Sequence, residues 1–246
     1  MNWYQFKKML LTPYIWYKRR QERHQAPFMK NMMEQHYYRP TFYGFVRATI
    51  LNNDIMYEAP LNKGDIVLDL GAYHGKWTNR VYELYQPRIY MYEPDPPSVR
   101  KLQKMFADND DVELREYGLG ARDDELEMIQ KGMGSSFYGK NTGDHKVISV
   151  PVRDVARELE ALGHDQIDLI KLNIEGGEYD VLERLIETGW LPHVRIFMIQ
   201  FHEWFDGAHR RHRRIHRELC KTHDVAWRYP FIWEQWIRKE NQGNAD

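Results

Sequence analysis

The chain has 246 residues, 42% of them hydrophobic, enough for one sizeable core near the upper edge of single-domain size. Its formal net charge of -1 gives the whole molecule no electrostatic footprint for nucleic acid, which is therefore not expected as a partner unless a local patch supplies the charge. A single cysteine, Cys220, excludes an internal disulfide and a paired-cysteine zinc site, and it fits a reducing cytosol.

Residues 1–52 are expected to form an N-terminal helical extension. They mix aromatics (Trp3, Tyr4, Phe6, Tyr14, Trp16, Tyr17) with cations (Lys7, Lys8, Lys18, Arg19, Arg20, Arg23), and Pro13 interrupts any helix there. Such a composition suits an accessory helix packed on the domain or on the partner of a homodimer, or else peripheral contact with a membrane or a lipid-linked acceptor. The opening residues lack the order of a secretory signal, and no apolar run reaches the roughly 20 residues that span a bilayer. A cytoplasmic location, with peripheral membrane contact as the variant, is the expectation.

The main domain is expected over residues 53–240, with a polar tail at 241–246. From Asp65 onward, short apolar runs at 66–70, 89–93, 112–117, 168–173 and 194–201 read as strands of a parallel sheet covered on both faces. Helical stretches at 78–85, 97–106, 155–162 and 179–188 supply the crossovers, with Asp154 as an N-cap and Gly163 and Gly189 as stops. Residues 131–146 are too rich in glycine and polar side chains for a core; they suit a functional loop in which Ser135 and Ser136 bind substrate. A helix over 207–221 and a hairpin of 225–231 with 234–239 complete the chain. The predicted class is α/β, a mostly parallel doubly wound sheet ending in an antiparallel hairpin.

The best chemical signal is Val67-Leu68-Asp69-Leu70-Gly71-Ala72-Tyr73-His74-Gly75, a strand that ends in an acid and enters a turn with two glycines. Glycines let a ligand approach the backbone, and the helix that follows offers unpaired N–H groups to an anion, so Asp69, Gly71, Ala72, Tyr73 and Gly75 are cofactor candidates. The spacing is G-x-x-x-G; a dinucleotide fingerprint requires G-x-G-x-x-G, and no phosphate loop is present, which argues against NAD and nucleoside triphosphates. Glu93, in Glu93-Pro94, ends the next strand about 20 residues on, where Rossmann-like folds place an acid for ribose hydroxyls. Gly118 and Leu119 after the third strand would flank an adenine ring or make an ordinary strand-to-helix turn.

Together with Asp168-Leu169-Ile170-Lys171-Leu172-Asn173-Ile174-Glu175-Gly176-Gly177-Glu178, these motifs resemble the FkbM family of S-adenosylmethionine-dependent methyltransferases over about residues 65–203. The resemblance implies a Rossmann-like class I methyltransferase fold, S-adenosylmethionine as cofactor, and methyl transfer to oxygen, often a hydroxyl of a sugar in a glycan, glycolipid or polysaccharide. Where the family usually has Asp in K-x-D-x-E-G this chain has Asn173, which keeps hydrogen bonding but cannot ionise. Methylation of a small natural product, or cofactor binding without catalysis, are the alternative readings. Asp95-Pro96-Pro97 followed by Ser98 lacks the aromatic that stacks on a flipped base, which further disfavours nucleic acid.

Candidate chemistry lies at the carboxyl ends of the fourth and fifth expected strands, where open α/β sheets bind ligands. There Glu175 and His202 are candidate bases, Glu203 a fallback, and Asn173 a catalytic or cofactor-contacting amide; Glu178 is either a substrate contact or a charge at a helix start. His209, His212 and His216 recur at helical spacing among arginines and read as a metal face, an anion face or a solvated basic helix; no metal site is expected.

Overall fold

The computed structural model describes residues 45, 48, 49, 55–129 and 146–240. The chain divides into two compact units, residues 1–51 and 52–246. In the first, Phe45, Ala48 and Thr49 are helical, and the Thr49 hydroxyl donates to the Phe45 carbonyl. Most of the expected N-terminal extension, the loop carrying Ser135 and Ser136, and the polar tail lie outside the described residues.

In the second unit the strands are β1 (Ile66–Leu70), β2 (Arg88–Tyr92), β3 (Val112–Arg115), β4 (Gly118–Gly120), β5 (Asp124–Ile129), β6 (Val147–Asp154), β7 (Ile167–Leu172), β8 (Val194–Ile199), β9 (His223–Tyr229) and β10 (Trp233–Arg238). The helices are α1 (Lys76–Tyr85), α2 (Pro96–Met105), α3 (Val155–Leu162), α4 (Glu178–Glu187) and α5 (Ala208–Thr222). Seven strands form one sheet in the order β3-β2-β1-β7-β8-β10-β9. Its first five are parallel, and β10 runs antiparallel to both β8 and β9, so the expected terminal hairpin is present.

Period-two alternation explains why the strands read as continuous apolar runs. Leu68, Leu70, Tyr90, Tyr92, Ile170, Leu172, Phe197 and Ile199 turn to one face, where α3, α4 and α5 bury them. Val67, Ile89, Met91, Leu169 and Ile196 turn to the other, beneath α1 and α2. The cap residues behave as their chemistry requires: the Asp154 carboxylate accepts from the Ala156 N–H, and Gly163 closes α3 in the left-handed region.

A second sheet, β4-β6-β5, departs from the sequence expectation. Gly118–Gly120 forms a strand parallel to the end of β6, neither a turn into a helix nor an open crevice loop. Gly120 has no room for a side chain, since a β-carbon there would lie 2.9 Å from Val152, and Leu119 is buried in the core below α3. The basic stretch on α5 also differs from a uniformly solvated face. His212 is buried, with Nε2 3.2 Å from Glu234, and Arg211 donates to Asp180 and Glu183 on α4. Among the described residues no helix is long and apolar enough to cross a membrane, and no group of His, Cys, Asp and Glu side chains is arranged to hold a metal ion.

Candidate active site

The order β3-β2-β1-β7 reverses direction of progression at β1, and in such sheets the crevice beyond the carboxyl ends of the strands at this reversal, here β1 and β7, is the usual ligand position. Gly71 leaves β1 with φ +80°, and a β-carbon there would meet the Asn173 carbonyl oxygen at 2.2 Å. Glycine is therefore demanded by close approach of the two strand ends as well as by backbone angle. Gly71→Ala is expected to lower the unfolding free energy in urea by about 2 kcal/mol or more, because both the strain and the clash fall on backbone. Gly75, with φ +72°, is likewise fixed by packing: a β-carbon would press on Phe106, Leu102 and Met105 of and beside α2. The second glycine thus sets how α1 lies against α2.

Asp69 is fully buried beneath this turn. Its carboxylate accepts from the Thr78 hydroxyl at 2.6 Å and from Lys171 Nζ at 2.8 Å, and the ammonium also reaches the Gly71 carbonyl at 3.0 Å. Thr78 of α1 and Lys171 of β7 thus support the turn, and sequence reasoning passed over both. The available signal was register: Asp69 and Lys171 are opposite charges, each next to last in an apolar strand, and they pair directly across β1 and β7.

Glu93 follows β2 and holds the turn from the other side. One carboxylate oxygen accepts the Tyr73 N–H at 2.7 Å, the other the Asp95 N–H at 2.9 Å. Burial pushes its pKa up to about 7 in spite of those two donors. Tyr73 adopts φ 50° and stacks its ring on His74, with centroids 3.7 Å apart. Ala72 is buried in the core under α1, and Pro94 lines a shallow groove with Pro96, Val99 and Pro151.

Across the crevice, the Asn173 N–H donates to the Leu70 carbonyl at the end of β1. Its side-chain Oδ1 is buried and has no hydrogen-bond partner among the described residues. A buried acceptor left unpaired costs free energy, so this oxygen marks a place where a ligand donor fits. Glu175 takes φ 55°, and Gly176 beside it takes φ 107°, so the segment between β7 and α4 is sharply turned. Glu178 is fully buried at the start of α4, accepting the Gly176 N–H at 2.9 Å and the His202 N–H at 2.7 Å.

His202 follows β8 and is 6% exposed. Its Nδ1 lies 3.0 Å from Glu178, and Nε2 faces Glu175 at 3.7 Å. Burial alone would pull the ring's pKa down, but the Glu178 charge and hydrogen bond, with Glu175 behind them, outweigh it and hold the value above that of an ordinary histidine. The exposed ring of Trp204 stands 4.4 Å from the imidazole, and Glu203 pairs with His209 at 3.3 Å. Asp69 and Glu178 have no exposed surface, whereas Glu175 and His202 face one another at 3.7 Å beyond the ends of β7 and β8.

A doubly wound sheet of this order, with a glycine turn after β1 and an acid after β2, is the arrangement of a Rossmann-like class I methyltransferase. Residues 69–225 match the methyltransferase FkbM domain, and the chain belongs to the FkbM methyltransferase family. Solved structures with similar folds include an rRNA methylase from Streptococcus thermophilus (13% identity, 77% of this chain and 95% of that one, TM-score 0.45). Another is Aeropyrum pernix fibrillarin with natively bound S-adenosyl-L-methionine (14% identity, 79% and 74%, TM-score 0.42). No curated protein matches the chain.

Proposed function

We propose that this methyltransferase acts on a hydroxyl of a sugar in a glycan, glycolipid or polysaccharide. The observation that carries the reading is the His202 imidazole, buried among carboxylates at the crevice with Nε2 facing Glu175. A neutral hydroxyl must lose its proton as it is methylated, and a histidine at the strand end is suited to take it. S-adenosylmethionine supplies the electrophilic methyl group on its sulfonium.

In this reading the turn at Gly71, Ala72, Tyr73 and Gly75 presents backbone to the cofactor's amino-acid end. The Glu93 carboxylate accepts from ribose hydroxyls, and Asn173 Oδ1 accepts a further N–H or O–H donor. Pro94, Gly118 and Leu119 are assigned to the adenine side, Gly118 and Leu119 being buried residues of β4. His202 Nε2 takes the acceptor's proton while Glu175 orients the hydroxyl, and Glu203 at the rim is the fallback base. The Trp204 ring offers a flat apolar face on which the carbon skeleton of a sugar packs. Ser135 and Ser136 complete the acceptor side as hydrogen-bonding groups.

Incubation with tritiated S-adenosylmethionine and panels of monosaccharides, oligosaccharides and RNA tests the acceptor class. Label recovered as sugar methyl ethers is expected; transfer to RNA alone would overturn the sugar reading.

The cofactor half makes a separate prediction. Ribose hydroxyls donate to the charged form of Glu93, whose carboxyl stands near 7 before binding, so binding must expel its proton. Affinity for S-adenosylmethionine is therefore expected to weaken about tenfold from pH 8 to pH 6 by calorimetry, with a proton released at the lower pH. In Glu93→Gln the pH dependence disappears, and an unchanged slope in that variant would place the titrating group elsewhere.

A further inference from the structure

We infer that Glu178 is the positioning residue for His202, fixing which ring nitrogen carries the proton; this inference rests on the proposed role of His202 as the base. A carboxylate can only accept, so Nδ1, 3.0 Å away, must be the protonated nitrogen, and in the neutral ring the lone pair is then on Nε2. That is the nitrogen turned toward Glu175. The same Glu178 oxygen also accepts the His202 backbone N–H at 2.7 Å, and the other accepts the Gly176 N–H. Three donors from the two sides of the crevice thus converge on one buried carboxylate. Tyr179 adds a fourth tie across the same gap, its hydroxyl donating to the His202 carbonyl at 2.8 Å. The ring is held against rotation as well as against tautomer exchange.

Among the described residues, the groups facing His202 are Glu178 at the start of α4, Glu175 from the β7–α4 segment and Trp204 from its own loop. Of these, Glu178 makes the shorter contact and the only fully enclosed one. Glutamine at position 178 cannot reproduce the arrangement. Both Glu178 oxygens face backbone N–H groups that cannot reverse polarity, so either orientation of the amide sets its NH2 against one of them. If the NH2 falls next to His202, Nδ1 becomes the acceptor and the proton moves to Nε2.

The test is a long-range 1H–15N correlation spectrum of the histidine rings across pH in the full chain, with His202→Gln used to assign the signal. In the wild-type protein His202 is expected to titrate above 6.5 and, once neutral, to carry its proton on Nδ1. In Glu178→Gln its proton affinity is expected to fall about tenfold or more, because the buried charge is gone in either amide orientation, while S-adenosylmethionine still binds within about twofold. A wild-type ring that is neutral with its proton on Nε2 overturns the inference even if the variant fails to fold, as does an unchanged titration in a folded Glu178→Gln. Full methyl transfer by His202→Gln would instead remove the base role while leaving the tautomer result standing.

Discussion

Alanine in place of Asp69 is expected to cost about 3–5 kcal/mol of folding stability, more than any surface acid could. The Lys171 ammonium is 5% exposed and lies 2.8 Å from the Asp69 carboxylate, which is 0% exposed. Without that partner the charge is left, among the described residues, with the carbonyls of Leu70 and Gly71, the distant face of Trp77 and the longer-range field of Glu93, and the Thr78 hydroxyl loses its acceptor. An unpaired buried charge is far more costly than an exchanged pair of apolar groups. Urea unfolding of Asp69→Ala, Lys171→Met and the double variant Asp69→Leu/Lys171→Met separates these effects. The double variant is expected to recover most of the loss, because the desolvation cost of both ions disappears together. A loss below about 1 kcal/mol in Asp69→Ala would mean that the ammonium finds water, and the turn would then owe little to this pair. The prediction also changes how cofactor binding is read: weaker binding in Asp69→Ala reports a disordered Gly71–Gly75 turn before it reports any contact.

The layout of the large sheet was legible because parallel strands buried on two faces leave near-continuous apolar runs, and Val67 to Leu70, Leu169 to Leu172 and Ile196 to Ile199 are such runs. The small sheet was not. In β5 three of the first four residues, Asp124, Glu125 and Glu127, are charged and offer no apolar run, and β6 carries Pro151 in its middle, which argues against a strand. Pairing of β4 with β6 joins segments more than thirty residues apart, information that no local pattern carries. The site divides the same way. Gly71, Glu93 and Asn173 stand out locally, as a turn, a strand-end acid and a departure from a family motif. Lys171 was hidden by lying inside a strand, and Glu178 by looking like an ordinary first-turn acid of α4, since its partner His202 is 24 residues away and on another strand end.

Glutamine at position 202 is expected to lower the rate of methyl transfer by about 10²–10⁴-fold while leaving the affinity for S-adenosylmethionine within about twofold. The backbone N–H of residue 202 still reaches Glu178, so the strand end stays anchored, and what is lost is the ring nitrogen proposed to take the proton. The effect belongs in turnover because the hydroxyl's proton leaves only as the new bond forms. The direction of the pH profile follows from the raised pKa of the ring: the base form is scarce at low pH, so the wild-type rate climbs as pH rises through a midpoint above 6.5. Since the Glu93 effect acts on affinity, measuring the rate at saturating cofactor isolates His202 from it. Near-normal turnover in His202→Gln would move proton removal to Glu175, the other titratable group facing the same space, and Glu175→Gln would then carry the loss. If both variants turn over normally, alignment of the hydroxyl alone drives the reaction and solvent takes the proton.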